Sequence, residues 1–190
     1  MQNNNAEKVI KYFPNTLTSL RIAAIPLIIV CFYVEQSLWS RRVCATIFLF
    51  ASITDFFDGF FARKLKAQTK LGKVLDPLAD KLLVGSTLIL LVKFLDVCAI
   101  PCILILCREF MVSGIREFTP FKVSHGVQIL SKIKTCLQMT AIFLLLLGSQ
   151  GSKIQIMNEL GIVAIWTAAV LTIITGVFYL FATNNVTYDE

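Results

Sequence analysis

Four aspartates stand close together in the first half of the chain, between long apolar runs. Asp55 and Asp58 are three residues apart, and Asp76 and Asp80 are four apart. On helices, either spacing places both members of a pair on one face. A carboxylate near the middle of a membrane helix costs about 3 kcal/mol, and neighbouring carboxylates repel one another unless cations lie between them. Two facing helices that hold divalent metal ions through carboxylate oxygens satisfy both constraints, so the spacing predicts a metal site.

The remainder of the chain has the composition of a membrane protein. Of its 190 residues, 56% are hydrophobic and 16% are charged, whereas about a quarter of the residues in a soluble domain are charged. Apolar stretches of about 20 residues, enough to cross a hydrocarbon core of about 30 Å, recur along the whole chain. We therefore predict a single polytopic membrane domain over residues 1–190, without a cleavable signal peptide.

The apolar stretches predict six transmembrane helices, because a chain in lipid must satisfy its backbone hydrogen bonds internally. Ahead of them, Ala6, Val9, Ile10 and Phe13 share one face of a short amphipathic helix at the membrane surface, which we expect to end at Pro14. The surface helix is predicted at about 4–13 and the transmembrane helices at about 16–35, 42–63, 74–95, 98–117, 127–148 and 158–182. The expected fold class is all-α and integral to the membrane.

The positive charge of the chain, formally +6 at pH 7, is distributed asymmetrically. Of the 18 lysines and arginines, only Arg41, Arg42, Lys93 and Lys153 fall in the connectors after the first, third and fifth apolar segments. By the positive-inside rule, both termini and the other two connectors face the cytoplasm. The aspartates lie at the cytoplasmic ends of their segments, so the acidic site is expected to open to the cytoplasm.

Several residues near the aspartates are candidates for binding a phosphorylated ligand. Gly59 and Ala62 keep the helix surface shallow, although small residues in membrane helices also serve packing alone. Arg63 adds planar donors suited to a phosphate. Other cations lie at the same membrane level, where the alternatives are snorkelling to headgroups or ion pairing, as between Glu109 and Arg116. These cations are Arg21, Arg108, Arg116, Lys132 and Lys134.

Two further features are predicted to be structural only. The polar residues of the sixth apolar segment are mainly threonine and tryptophan, so we predict a purely structural role for this helix. The six cysteines lie in or beside apolar segments without a C-x2-C pair, so neither a disulfide framework nor a zinc site is predicted.

The aspartates and their neighbours form a signature that resembles a known family. The pattern Asp55-x2-Asp58-Gly59-x2-Ala62-Arg63-x8-Gly72-x3-Asp76-x3-Asp80 resembles the complete signature of the CDP-alcohol phosphatidyltransferases. Three other stretches resemble the bacterial glycerol-3-phosphate branch of that family, the phosphatidylglycerophosphate synthases. They are Pro14-Asn15-x2-Thr18-x2-Arg21, Arg108-Glu109 with Ser113-x2-Arg116-Glu117, and Lys132-x-Lys134-Thr135-x2-Gln138-Met139. One departure is Ser131, where that branch usually has a glycine.

The resemblance implies a fold, an activity and partners. The fold is the CDP-alcohol phosphotransferase fold of six transmembrane helices with an N-terminal surface helix, usually as a homodimer. The activity is transfer of the phosphatidyl group from CDP-diacylglycerol to a hydroxyl of glycerol 3-phosphate, giving phosphatidylglycerophosphate and CMP in phospholipid biosynthesis. The implied cofactor is Mg²⁺ or Mn²⁺ in a two-metal site. The implied location is a bacterial-type inner membrane, among lipids and without a nucleic-acid partner.

The resemblance also implies a role for each signature residue. Asp80 takes the proton from the acceptor hydroxyl, beside the metal ions. The implied metal ligands are Asp55, Asp58, Asp76 and Asp80, and the implied contacts to CDP are Thr18, Asp58, Gly59, Ala62, Arg63 and Gly72. The candidates for the acceptor phosphate are Arg21, Arg108, Arg116, Lys132 and Lys134.

Other readings stay open. Within the family, inositol phosphate or serine are alternative acceptors, although the cations favour a phosphorylated one. Membrane prenyltransferases also bind a diphosphate through metals on aspartate-rich helices, but they need a larger helical bundle and lack Gly-x2-Ala-Arg. A non-enzyme alternative is an ion or metal transporter. Carboxylates in transporters typically lie near the bilayer midplane, whereas these cluster near one surface.

Overall fold

The computed structural model describes residues 3–34, 37–65, 70–118 and 125–186, with side chains at 19–34, 37–54, 75, 77–115 and 126–181. This described part consists of six α-helices and no strand, which confirms the all-α prediction. The helices are α1 Asn3–Val34, α2 Leu38–Leu65, α3 Lys70–Leu95, α4 Ala99–Phe118, α5 His125–Ser152 and α6 Met157–Val186. Each overlaps one of the six predicted apolar segments, and the bounds of α2 to α6 lie within four residues of the predicted ones.

The first helix differs from the prediction. Its backbone is helical from Asn3 to Val34 without a break, so the expected end of a separate surface helix at Pro14 is absent. A proline removes one backbone hydrogen bond and crowds the preceding turn, which bends a helix more readily than it ends one. The residues on both sides of Pro14 continue the same helix.

Two membrane-spanning candidates stand out in the described residues. They are Gly126–Ser152 in α5 and Met157–Phe181 in α6, and Ser19–Val34 in α1 is a shorter apolar helix. The surface of α6 supports this assignment, because Val163, Val170 and Phe181 are exposed while Ala168 is buried. Large apolar side chains outside and small ones inside are expected where the surrounding solvent is lipid. Helices of this length and composition in a chain so apolar indicate a membrane protein.

The chain divides into two compact units, residues 1–90 and 91–190. In the first unit, α1 packs against α2 through small residues. The Ser40 hydroxyl donates to the Cys31 carbonyl at 2.6 Å, and the Cys44 sulfur lies 3.9 Å from the Ile28 carbonyl oxygen. Side chains as short as Ser and Cys let the two backbones approach closely enough for these contacts.

In the second unit, α6 contacts both α5 and α4. A Cβ atom on Gly161 of α6 would lie 2.8 Å from the Leu145 side chain and 3.2 Å from its backbone nitrogen, so the backbones of α5 and α6 nearly touch there. Near its end, α5 is kinked at Gly148, whose φ of 55° is readily adopted only by glycine. The Asn158 side-chain oxygen then accepts a hydrogen bond from the Ser149 amide at 3.1 Å. This hairpin is the frame for the polar residues described next.

Candidate active site

The four signature aspartates lie on two helices of the first unit. Asp55 and Asp58 belong to the last turns of α2, which continues to Leu65, and Asp76 and Asp80 follow the start of α3 at Lys70. Because the backbone is helical at all four positions, the three- and four-residue spacings place each pair along one side of its helix. The side chains of Asp55, Asp58 and Asp76 lie outside the described side chains.

Asp80 is the one signature aspartate whose side chain is described. It is partly exposed, while its Oδ1 atom is buried. A carboxylate with one buried oxygen and contact with the surface can bind a cation or accept a proton from a bound molecule. This placement fits the predicted role, which stays a prediction.

The donor set fits a divalent metal. Carboxylate oxygens are the ligands that Mg²⁺ and Mn²⁺ prefer, and the two helical pairs supply four carboxylates. Among the described side chains there is no cluster of three or more His, Cys, Asp or Glu residues that could hold a metal. The signature aspartates, of which only Asp80 has a described side chain, stay the predicted ligands.

The predicted CDP contacts lie on the same helices. Thr18 is in α1, Gly59, Ala62 and Arg63 are in α2, and Gly72 is in α3. Their side-chain positions fall outside the described part of the chain, so the assignment of these residues to CDP also stays a prediction.

Arg21 on α1 is buried, with 2% of its surface exposed. A snorkelling arginine would extend its guanidinium to the surface. The burial of Arg21 therefore argues against the headgroup alternative and for an internal role of this cation in the first unit.

The cations of the second unit differ in depth. Arg108 on α4 and Lys134 on α5 are buried, with 8% and 1% exposed, whereas Lys132 is exposed. Side chains two residues apart on a helix point in directions about 200° apart, so Lys134 faces inward and Lys132 faces outward. Gln138, one turn beyond Lys134, is buried as well. The Arg116 side chain lies outside the described residues.

Glu109 on α4 connects the two buried cations. The Lys134 ammonium donates a hydrogen bond to Glu109 Oε1, and Arg108 Nη1 lies 3.7 Å from the same oxygen. The described partners of Glu109 are therefore Lys134 and Arg108, in addition to any pairing with Arg116. Buried cations need such compensation, because an isolated charge away from water is strongly disfavoured.

The sixth helix contributes to this cluster, so its description as scaffold alone is incomplete. Arg108 Nη2 donates to the Thr175 hydroxyl at 3.0 Å, and the Arg108 guanidinium carbon lies 5.4 Å from the centroid of the Tyr179 ring. Thr175 and Tyr179 are four residues apart and share a face of α6. A threonine and a tyrosine at that spacing in an apolar helix were the available sequence signal.

Comparison with known proteins identifies relatives over nearly the whole chain. Residues 11–174 match the sequence model of the family described as CDP-alcohol phosphatidyltransferase. A protein of Rickettsia bellii named CDP-diacylglycerol–glycerol-3-phosphate 3-phosphatidyltransferase is 54% identical over 176 residues, which cover 92% of this chain and 97% of the relative. A protein of the same name from Pectobacterium atrosepticum is 36% identical over 177 residues, covering 90% and 94%. A third, from Arabidopsis thaliana and carrying that name with the number 2, is 37% identical over 182 residues, covering 88% and 77%.

Proposed function

The chain belongs to the CDP-alcohol phosphatidyltransferase family, and on that premise we propose that it transfers a phosphatidyl group from CDP-diacylglycerol to glycerol 3-phosphate. The products are phosphatidylglycerophosphate and CMP. The observation that carries this proposal is the complete aspartate signature on two successive helices, α2 and α3. The name shared by the Rickettsia, Pectobacterium and Arabidopsis relatives supports glycerol 3-phosphate as the acceptor.

The aspartates are assigned two tasks, binding of the metal ions and activation of the acceptor hydroxyl. Asp55, Asp58, Asp76 and Asp80 would hold Mg²⁺ or Mn²⁺, which neutralises the pyrophosphate of CDP-diacylglycerol. Asp80 accepts the proton of the acceptor hydroxyl, whose oxygen attacks the phosphorus that carries the diacylglycerol. The bond between that phosphorus and the CMP oxygen breaks, and CMP leaves. The buried Oδ1 of Asp80 supports this role, because an oxygen shielded from water can accept the proton of a bound hydroxyl without competition from solvent.

The CDP moiety is assigned to the helices that carry the aspartates. Gly59 and Ala62 leave room for the nucleotide beside Asp58, and Arg63 pairs with a phosphate. Thr18 and Gly72 complete this part of the proposal.

The acceptor phosphate is assigned to buried cations. Arg108 and Lys134 are the main candidates, because both are buried against the single carboxylate of Glu109, which leaves a net positive charge that a phosphate would offset. Arg21 is a further candidate because it is buried, and Arg116 because it lies two turns beyond Arg108 on α4. Lys132 is exposed, so its charge is better suited to attracting the anionic substrates and headgroups.

The finer features of the fold are proposed with the function. The chain forms one polytopic membrane domain with six transmembrane helices and is a homodimer. It lies in a bacterial-type inner membrane, with both termini and the active site on the cytoplasmic side. The uneven distribution of lysine and arginine supports this orientation.

CMP release by purified protein in detergent tests the proposal. CDP-diacylglycerol and Mg²⁺ or Mn²⁺ are supplied, and glycerol 3-phosphate, inositol phosphate and serine are offered separately, with Asp80→Asn as the control. Release with glycerol 3-phosphate alone, lost on addition of EDTA, is the expected result. Release only with another acceptor would keep the family and refute the acceptor. No release from folded protein with any acceptor would refute the function.

A further inference from the structure

We infer that Thr175, with Tyr179 and Gly176 of α6, positions the guanidinium of Arg108 and thereby sets the affinity of the enzyme for the phosphate of its acceptor. The inference rests on the proposed function, in which Arg108 binds that phosphate. Thr175 lies 67 residues from Arg108 in the sequence, in a helix outside every motif of the family signature.

The hydrogen bond from Arg108 to Thr175 is fixed in direction. The Thr175 hydroxyl lies 2.9 Å from the Leu171 carbonyl oxygen and 3.1 Å from that of Thr172, so its proton is directed to the backbone of α6. A hydroxyl that donates to its own helix offers its lone pairs outward. Arg108 Nη2 donates to Thr175 at 3.0 Å, inside the protein. The rotation of the hydroxyl is therefore settled before the arginine binds to it.

The plane of the guanidinium is fixed by Tyr179. The ring of Tyr179 is buried, and the Arg108 guanidinium carbon lies 5.4 Å from its centroid. A cation at that distance from an aromatic ring is attracted by the electron-rich face. Since the buried ring has no space to turn away, it limits the tilt of the guanidinium.

The aliphatic stem of Arg108 occupies the space that a side chain at position 176 would need. A Cβ atom on Gly176 would lie 3.1 Å from Arg108 Cγ and 3.9 Å from Nε. The aliphatic part of the arginine therefore lies against the backbone of α6. Any larger residue at position 176 would displace the stem, and the guanidinium with it.

The three contacts restrain different parts of the Arg108 side chain. Gly176 lies against its aliphatic stem, Thr175 accepts a hydrogen bond from Nη2, and Tyr179 faces the guanidinium. Arginine is suited to phosphate because two of its parallel N–H groups can bind two phosphate oxygens, and that geometry depends on the orientation of the plane. A flexible arginine would lose side-chain entropy each time it bound the acceptor. Contacts from α6 remove that loss in advance, so their effect is expected in the binding of the acceptor rather than in that of the lipid substrate.

Steady-state kinetics of Thr175→Val test the inference. Valine keeps the shape of the side chain and removes the hydroxyl. We expect the KM for glycerol 3-phosphate to rise about tenfold, the effect of one hydrogen bond to a charged group, while the KM for CDP-diacylglycerol stays within twofold. Thr175→Ser restores the hydroxyl and is expected to return the acceptor KM to within about threefold of the wild type.

Two further variants separate positioning from packing. Thr172→Val is the matched control, because Thr172 is equally buried one turn earlier on α6 and its hydroxyl has no hydrogen-bond partner within the described residues; its acceptor KM is expected to be unchanged. Gly176→Ala removes no hydrogen-bonding group but crowds the Arg108 stem, whose Cγ would lie 3.1 Å from the added Cβ. It is expected to raise the acceptor KM as Thr175→Val does, and it keeps the test valid if the valine variant fails to fold.

The outcomes distinguish this inference from the proposed function. If wild-type protein releases no CMP with glycerol 3-phosphate, the proposed function fails and the inference fails with it. If the wild type is active but Thr175→Val and Gly176→Ala leave the acceptor KM unchanged, or raise both KM values equally, only the positioning role is overturned. A serine variant that behaves like valine would overturn the role of the hydroxyl in the same way.

Discussion

Lys134 on α5 donates a hydrogen bond to the carboxylate of Glu109 on α4, 25 residues earlier in the chain. The lysine side chain is 1% exposed and the glutamate side chain 24%, so the cation lies deeper than its counter-charge. Arg108 lies 3.7 Å from the same carboxylate oxygen. Two cations and one carboxylate leave this trio with a net positive charge, which an acceptor phosphate would offset.

Replacing Lys134 by methionine is expected to separate stability from binding. Methionine fills a similar volume. Removing one partner of a buried ion pair is destabilising when it leaves the other charge buried and alone, but the Glu109 side chain is 24% exposed and retains Arg108 at 3.7 Å. Glu109 reaches the surface and can be solvated once the lysine is gone. We expect a nearly unchanged unfolding temperature in detergent and an acceptor KM at least about tenfold higher, because a charge-assisted contact contributes about 1.5–3 kcal/mol.

Lys132→Met is the matched comparison for this prediction. The side chain of Lys132 is exposed, two residues away on the same helix. Lys132→Met is expected to raise the acceptor KM by a factor several times smaller than the factor for Lys134→Met. Equal effects of the two substitutions would contradict the assignment of the acceptor phosphate to the buried lysine.

Asp80→Asn is expected to abolish turnover while CDP-diacylglycerol still binds. An amide keeps the shape of the carboxylate but cannot accept the hydroxyl proton, and the loss of a general base lowers kcat by about 10²–10⁴-fold. Single-turnover CMP release and equilibrium binding of the lipid measure the two effects separately. Asp96→Asn, just after the same helix, is the matched control, because Asp96 is exposed and its φ of 52° is a conformation that asparagine also adopts. Full activity of Asp80→Asn would exclude Asp80 as the base.

The fold was predictable from the sequence wherever the solvent dictates it. In lipid, a backbone must bond to itself, so apolar stretches are expected to be helical, and the bounds of α2 to α6 lie within four residues of the predicted segments. The continuous helix through Pro14 was not predictable in this way, because a proline can either kink or end a helix and its position in the sequence does not decide between the two.

The depth of individual cations was not predictable in the same way. The sequence places three cations at the same expected membrane level, namely Arg108, Lys132 and Lys134. Only the packing of α4, α5 and α6 shows that Arg108 and Lys134 are buried and Lys132 is exposed. The contact between Arg108 and Thr175 joins residues 67 positions apart. A threonine in an apolar helix most often bonds to its own backbone, as Thr167 does at 2.7 Å, so its type alone does not indicate a partner on another helix.

Metal binding by the aspartates predicts a change in stability that needs no turnover. A ligand that binds only the folded state stabilises it by about 2.7 kcal/mol at 100 times its Kd. We expect Mg²⁺ or Mn²⁺ to raise the unfolding temperature of EDTA-treated protein, and a variant combining Asp55→Asn with Asp58→Asn to show no rise. Asp96→Asn should respond like the wild type. A similar rise in the double variant would mean that the metal binds elsewhere.

The proposed orientation predicts which native cysteine a reagent outside the cytoplasm can reach. Cys98 is exposed in the short connector between α3 and α4, on the side of the membrane opposite to the proposed active site. The exposed Cys107 and Cys136 lie within helices, where lipid excludes a charged reagent. A membrane-impermeant maleimide should therefore label the protein in spheroplasts, and Cys98→Ser should remove that labelling. If wild-type protein were labelled at Cys98 only in inverted vesicles, the orientation would be reversed, and the aspartate signature would face away from the cytoplasm.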